Sequence, residues 1–358
     1  MSLENKVSKY DGVLGKFKLA EDKIMNLIVT FMAQPIIFYH TKNVLVTLEV
    51  AKTLSQYINH PQPELIVWAF LDTARYTKDK QATLEVAKTL SQYINHPQAG
   101  SIADKISKTA EQTKDKKATI QVAKLFQEQQ IIDVFNQYIN HPQAESIVWA
   151  ISDTAFYTKD KQATLEVAKT LSQYINHPQA ESIQVAIFRT AEETKDKQAT
   201  LEVAKTLSQY INHPQVESIA SLFSKTAVYT KDQQIIIKIS KILSNSKDEI
   251  YSCNNLDLIT ENILEFTKSI QHQEIFDELK LSNYEKISKA YQVVQGIIEN
   301  KTDELKQQAI EGFYTSLNKQ ISKGKTIQEK LKIINSWSNK IYNVILQNPD
   351  GFTYVVAK

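Results

Sequence analysis

A segment of about 36 residues recurs along the first two-thirds of this chain and restricts its fold more than any other feature. The sequence TLEVAKTLSQYINHPQ begins at Thr47, Thr83, Thr164 and Thr200, and a longer variant of it begins at Thr119. Copies of one supersecondary unit cannot bury an apolar face alone, so they must stack on one another. The period therefore predicts an all-α helical-repeat solenoid, an α-α superhelix with a C-terminal helical region.

The repeat divides the sequence into three predicted segments. Residues 1–46 are expected to form N-terminal cap helices. Residues 47–235 hold five two-helix repeats, and residues 236–358 hold a divergent last repeat and a C-terminal helical region. Only seven Gly and eight Pro occur in 358 residues, and so few helix breakers favour an almost entirely helical protein.

Charge and cysteine content restrict the classes of partner and compartment. The 42 Lys and Arg nearly balance the 40 Asp and Glu, so the net charge of +2 lacks the basic excess that drives phosphate binding. The single cysteine, Cys253, excludes an intramolecular disulfide and fits a reducing compartment. We expect a cytoplasmic protein, although a cysteine-poor secreted protein would have the same composition.

The first strongly apolar run extends from Ile24 to Tyr39. It is shorter than the roughly 20 residues that a membrane-spanning helix needs, and Asn26, Gln34 and Pro35 interrupt it. We interpret it as a buried helix of the N-terminal cap. A signal or anchor segment is the alternative, which the more than twenty preceding polar residues disfavour.

Each repeat is predicted to contain two helices. In repeat two the first helix carries an apolar stripe at spacings of three and four, formed by Leu84, Ala87, Leu90 and Ile94. Glu85 and Lys88 are expected on the opposite, solvent-exposed side.

Turn residues delimit these two helices. The second helix is predicted to begin at Pro97, because proline suits the first helical position. The turn Thr77-Lys78-Asp79 follows it, with Asp79 as the N-cap of the next first helix.

The second helix separates constant positions from variable ones. An Ile and the positions four, seven and eight residues after it are apolar or small in every repeat, which predicts core. The positions two, six and nine residues after the Ile differ between repeats and point away from the core. From repeat one to repeat five they are Trp68, Asp72, Arg75; Asp104, Lys108, Glu111; Trp149, Asp153, Phe156; Val185, Arg189, Glu192; and Ser221, Lys225, Val228.

These variable positions have three interpretations. They bind a non-repetitive partner, they have drifted without consequence, or their tryptophans pack inside the solenoid. Large aromatic and Arg side chains are typical anchors of protein interfaces and are a poor choice for an idle surface, which favours binding.

The third repeat is nine residues longer than the others, within its first helix. Nine helical residues rotate the following face by about half a turn, so a kink, a bulge or an extra loop must absorb the mismatch. The insertion, within residues 119–141, is either neutral or a protruding element that marks a binding site or changes the curvature.

A two-helix repeat of this length with a proline at the inter-helix turn, small residues in the second helix and an aspartate before the next first helix resembles the HEAT/armadillo-like α-solenoids. Tetratricopeptide repeats are similar in length, but their Trp, Leu-Gly and Tyr signature is missing. Pumilio repeats share the period, but this chain lacks their basic face and stacking aromatics. The resemblance implies a scaffold that binds other macromolecules.

Beyond Ser246 the repeat fades. Long amphipathic helices are predicted over Asn255–Ile270, Ser282–Glu299, Thr302–Ser322 and Thr326–Leu346. Two capping boxes support them, Ser282 with Glu285 and Thr326 with Glu329. The tail from Phe352 to Ala357 is apolar enough to dock or to form a short strand.

The sequence offers no catalytic or metal-binding motif. Phosphate loops, dinucleotide fingerprints, zinc-protease motifs and nucleophile elbows are missing. Five turn histidines form a column, His60, His96, His141, His177 and His213. Neighbouring repeats lie on the order of 10 Å apart, too far for a shared metal, so we interpret these histidines as helix-boundary residues. We predict no catalytic residue, no metal and no cofactor.

These observations predict a non-enzymatic protein-interaction scaffold. Its partner-binding residues are predicted on the variable face of the second helices, namely Trp68, Asp72, Arg75, Asp104, Lys108, Trp149, Asp153, Phe156, Arg189 and Glu192. The partner is a protein or peptide of unspecified identity. A nucleic-acid-binding solenoid is the first alternative, and an enzyme with its site in the C-terminal helices is the second.

Overall fold

The computed structural model describes residues 33–174, 176–251 and 256–347. These residues form helices and turns, and none of them lies in a β-strand, which confirms the predicted all-α fold. The chain divides into two compact bodies, residues 1–175 and 176–358, and each is described by itself.

The N-terminal body is a two-layer arrangement of helices. Its described helices are α1 (33–41), α2 (Val44–Gln56), α3 (Pro63–Asp72, continued by a π-helical turn, Thr73–Thr77), α4 (Lys80–Ser91), α5 (Ala99–Thr113), α6 (Lys116–Leu125), α7 (Gln129–Tyr138), α8 (Ala144–Thr158) and α9 (Lys161–Gln173). The helices α2, α4 and α6 pack side by side in one layer, and α3, α5 and α8 pack side by side in the other. First helices of the repeats thus contact first helices, and second helices contact second helices.

The C-terminal body begins with the same pattern and ends in longer helices. It contains α10 (Ala180–Thr194), α11 (Lys197–Gln209), α12 (Val216–Thr230), α13 (Gln233–Asn245), α14 (Lys247–Tyr251), α15 (Leu256–Ser269), a 3₁₀ turn (Gln273–Asp277), α16 (Leu281–Ile298), α17 (Asp303–Ile321) and α18 (Ile327–Gln347). In this body α10 packs on α12, α11 packs on α13, and α16 packs on α17 and α18. The four predicted C-terminal helices are confirmed to within one residue at each end.

The turn between repeats is stabilised as the sequence predicts. The Asp79 carboxylate accepts a hydrogen bond from the Ala82 N–H at 2.9 Å, which confirms Asp79 as an N-cap. The residue before it, Lys78, has a φ of 50°, in the left-handed region. The equivalent lysines share this conformation, Lys42, Lys114, Lys159, Lys195 and Lys231, with φ between 51° and 53°.

The second helices begin later than predicted. In repeat two the helix begins at Ala99, not at Pro97. The His96 ring accepts the Gln98 N–H through Nδ1 at 3.2 Å, and the His96 carbonyl accepts the Ala99 N–H at 3.0 Å. These two bonds close a turn around Pro97, and this turn delays the first helical hydrogen bond.

The constant positions of the second helices form the core, as predicted. In repeat two Ile102, Ile106, Thr109 and Ala110 have no solvent exposure, and their counterparts in the other repeats are buried as well.

The prediction for the first helix needs a correction. The buried stripe of α4 is centred on Val86, Leu90 and Tyr93, while Leu84 and Ile94 are only half-buried. Glu85 is buried and not exposed, because Gln127 Nε2 donates to its carboxylate at 2.8 Å.

A break in the helix absorbs the nine-residue insertion. Helix α6 ends at Leu125 and α7 begins at Gln129, so the lengthened first helix becomes two helices. The Tyr93 hydroxyl donates to the Phe126 carbonyl at the end of α6, and the Tyr138 hydroxyl at the end of α7 donates to the Leu171 carbonyl. Each half of the broken helix therefore bonds one neighbouring first helix.

The two predicted capping boxes have different outcomes. Thr326 and Glu329 bond each other's backbone N–H groups at 3.2 and 3.3 Å, which confirms that box. The box of Ser282 and Glu285 is wrong, because the Ser282 N–H and hydroxyl both donate to Glu249, at 2.8 and 3.0 Å.

Some predictions fall outside the described residues. They concern most of the apolar run from Ile24 to Tyr39, Cys253 and the tail from Phe352 to Ala357. Of that run Ala33 and Ile37 are buried, whereas Phe38 and Tyr39 are exposed. In the described part of the chain no helix combines the length and hydropathy needed to cross a membrane.

Candidate partner-binding surface

The packing of α3, α5 and α8 brings the variable positions of the first three repeats together. The Ser107 hydroxyl of α5 donates to the Asp72 carboxylate of α3 at 2.5 Å, and Lys105 of α5 contacts Asp153 of α8. We name this surface the variable face, and it comprises Trp68, Asp72, Arg75, Asp104, Lys108, Glu111, Trp149, Asp153 and Phe156. The variable positions of repeats four and five lie in the C-terminal body.

Exposure divides these residues into two groups. Trp68 and Trp149 are 51% and 47% exposed, and Arg75 is exposed as well. Asp153 and Phe156 were expected on the surface, but they are 1% and 7% exposed. The solvent-accessible part of the variable face is therefore formed by the two indoles and the polar side chains around them.

Lys105, Trp149 and Asp153 form a compact cluster between α5 and α8. The Lys105 Nζ lies 2.5 Å from Asp153 Oδ1, and the two side chains are 8% and 2% exposed. The same ammonium lies 5.1 Å from the centre of the Trp149 indole, within cation–π range. Asp153 is buried because a lysine of the neighbouring helix neutralises it.

Sequence reasoning missed Lys105, although the repeat contains a signal for it. Lys105 follows the core Ile by three residues, where the other repeats have Ala69, Ala150, Ala186 and Leu222. A lysine in an otherwise apolar column predicts a buried charge with a partner, because an unpaired ammonium is costly to bury.

Asp72 occupies the position in repeat one that Asp153 occupies in repeat three. Among the described residues, the Asp72 side chain accepts a hydrogen bond from Ser107. Burial raises the pKa of Asp72, and the nearby Glu111 also raises it, while the Ser107 hydrogen bond and the Arg75 charge lower it. No Lys or Arg among the described residues lies within 4 Å of this carboxylate.

The remaining predicted residues form short-range ion pairs within single helices. Lys108 Nζ lies 2.8 Å from Asp104 on α5, and Arg189 Nη1 lies 2.8 Å from Glu192 on α10. Arg189 also packs over the Phe188 ring at 5.3 Å. Such partly exposed pairs contribute less than about 1 kcal/mol each, so they remain available to exchange partners.

The turn histidines bond within their own turns, and some of them also bond a neighbouring repeat. In the described turns Nδ1 of each ring accepts a backbone N–H two residues later, at 3.0–3.2 Å. Nε2 of His60 contacts the His96 carbonyl at 3.0 Å, and Nε2 of His96 contacts the Phe135 carbonyl at 3.1 Å. Because Nδ1 is an acceptor, the proton resides on Nε2 and these two rings are neutral.

Within the described ranges no group of three or more His, Cys, Asp or Glu side chains is placed to hold a metal ion. Comparison with protein families, curated proteins and solved structures finds no match to this chain. Its function must therefore be inferred from its own residues.

Proposed function

We propose that this chain is a non-enzymatic interaction scaffold, built as a right-handed HEAT/armadillo-like solenoid, that binds a protein or peptide through the variable face. The observation that carries this proposal is the placement of Trp68 and Trp149. They occupy the same position of two second helices, those of repeats one and three, and each is about half exposed. Aromatic side chains on such a face are the usual anchors of protein interfaces.

The charges of the variable face favour a polypeptide over a nucleic acid. Asp72, Asp104 and Asp153 alternate with the two tryptophans, and the nearby lysines, Lys105 and Lys108, are paired with two of those carboxylates. A phosphate backbone needs unpaired cations, whereas a polypeptide can match both the indoles and the carboxylates.

Substitution of the exposed indoles tests the proposal. Affinity capture with the full chain, followed by mass spectrometry, should recover a partner. Trp68→Ala or Trp149→Ala should weaken its binding by about 2 kcal/mol, roughly 30-fold. Tyr229→Ala is the matched control, because Tyr229 is 75% exposed and lies outside the variable face.

Two results would contradict the proposal. One is that the captured partner binds the unmodified chain and both tryptophan variants equally well. The other is a loss of about 3 kcal/mol or more of the free protein's stability on either substitution, which would identify the indoles as core. The solenoid architecture is tested separately by small-angle scattering, which should show an elongated particle.

A further inference from the structure

The first three repeats contain two versions of one aromatic–carboxylate pair. Trp68 and Asp72 are one helical turn apart on the second helix of repeat one, and Trp149 and Asp153 are one turn apart on that of repeat three. Both pairs occupy the same positions relative to the core Ile, so they face the same direction.

A lysine of this chain contacts both members of the second pair. Lys105 reaches it from the preceding second helix, with its ammonium 2.5 Å from the Asp153 carboxylate and 5.1 Å from the Trp149 ring centre. The structure thus shows which side chain this arrangement binds, namely a long aliphatic stem with a terminal cation. The indole and the carboxylate both favour a cation, the first through its ring face and the second through its charge.

No lysine in the described part of the chain takes this place at the first pair. The left-handed lysines Lys42 and Lys114 occupy equivalent positions and can be used to align α1 with α5. Lys105 lies nine residues before Lys114, and Ala33 lies nine residues before Lys42, so Ala33 is the counterpart of Lys105. Burial lowers the pKa of His40 on α1, the helix that carries Ala33, and the nearby charges of Arg75 and Lys78 lower it further, so this end of α1 lies near α3. An alanine side chain is too short to reach Asp72.

Consequently, among the described residues, the first pair combines an exposed indole with a half-buried carboxylate that forms no ion pair. Trp68 is 51% exposed, and no Lys or Arg of the described chain contacts either its ring or the Asp72 carboxylate. Burial raises the pKa of Asp72 by more than the Ser107 hydrogen bond and the Arg75 charge lower it, which is the shift expected of a carboxylate that has lost water without forming an ion pair.

We propose that Trp68 and Asp72 form a binding site for a lysine side chain of a partner polypeptide, in the place that Lys105 takes against Trp149 and Asp153. This inference rests on the proposed function, since it names the chemistry of that partner. The ammonium contacts the Asp72 carboxylate and the aliphatic stem lies along the indole. A cation at this position also lowers the pKa of Asp72, so binding at acidic pH releases a proton.

A synthetic peptide tests this site directly. The probe is a fluorescein-labelled peptide of alternating Lys and Ser, and the same peptide with acetylated lysines is its uncharged control. Fluorescence anisotropy with the full chain should detect the first peptide and not the second. Asp72→Asn and Trp68→Ala should each weaken binding tenfold or more. Glu145→Gln, which removes one exposed negative charge from α8, should change it less than twofold.

A lysine introduced into this chain so that it occupies the Trp68–Asp72 site provides an independent test. Ala33→Lys places a lysine where Lys105 stands relative to its own repeat, and it should abolish peptide binding while the helical circular dichroism is retained. Equal binding of the acetylated peptide, no binding of the charged peptide, or full binding by Asp72→Asn or Ala33→Lys would overturn the lysine site. If a captured partner depends on Trp149 but not on Asp72, the lysine site fails while the scaffold function stands.

Discussion

Lys105 and Asp153 form an ion pair between two neighbouring second helices, with 2.5 Å between Nζ and Oδ1. Both side chains are almost fully buried, and desolvating two charges offsets most of the attraction between them. The pair therefore contributes little net stability compared with an apolar contact. Its effect is to select how α5 packs on α8, because any other register leaves two buried charges unpaired.

Removing one member of this pair should be far more damaging than breaking a surface pair. Lys105→Ala should lower the free energy of unfolding by about 3–5 kcal/mol, since Asp153 stays buried without its cation. Lys108→Ala, on the same helix, breaks the partly exposed pair with Asp104 and should cost less than about 1 kcal/mol. Urea unfolding followed by circular dichroism compares the two. Adding Asp153→Ala to Lys105→Ala should restore part of the loss, and equal costs for the two single substitutions would disprove this explanation.

The hydroxyl of the buried tyrosine at the end of each first helix should contribute to the stability of the fold. Tyr93 is 2% exposed and its hydroxyl donates to the Phe126 carbonyl. Tyr93→Phe leaves that buried carbonyl without its donor, which should cost about 1–3 kcal/mol. The same change at Tyr229, which is 75% exposed, should have no measurable effect. Thermal unfolding of both variants checks this, and similar melting temperatures would count against it.

The left-handed lysines should be replaceable by glycine with a gain in stability. Lys114 has a φ of 52° and is exposed, and its ammonium forms no ion pair with any described residue. A non-glycine residue pays a steric cost in this region, so Lys114→Gly should raise the free energy of unfolding by about 0.5–1 kcal/mol. Lys52→Gly, inside α2 and also exposed, should lower the free energy of unfolding by about 1 kcal/mol. If both variants are destabilised, the turn conformation is not the controlling factor.

Protonation of His96 should account for part of the loss of stability at acidic pH. Burial lowers the pKa of His96, the hydrogen bond to the Phe135 carbonyl opposes this shift, and His60 lowers the pKa further once it is protonated. An unfolded histidine binds a proton below about pH 6.5, whereas the folded one resists it. The unfolding free energy therefore decreases as the pH falls from 7 through the lowered folded pKa. His96→Asn keeps a side-chain acceptor for the Gln98 N–H and removes the titration, so its unfolding free energy should change less between pH 7 and 5. Identical pH profiles of the two proteins would refute this.

Local regularities in the sequence were sufficient to predict much of the structure. The 36-residue period, the apolar columns through Ile102 and Ile106 and the N-cap Asp79 act within one helix or one turn, so their spacing alone predicts them. The four C-terminal helices were predicted to within one residue for the same reason. The half-exposed positions of Trp68 and Trp149 also followed from helical periodicity.

Only the tertiary structure decided which side chains meet across neighbouring helices. Glu85 is buried because Gln127 crosses from α6, and Asp153 is buried because Lys105 crosses from α5. The delayed start of α5 at Ala99 depends on the His96 ring bonding within its own turn. The helical period gives the direction of a side chain but not the identity of its neighbour, and burial of a polar group is tolerated only where that neighbour neutralises it. The sequence determined the direction in which each side chain leaves its helix. The packing of neighbouring helices determined which charged side chains are buried.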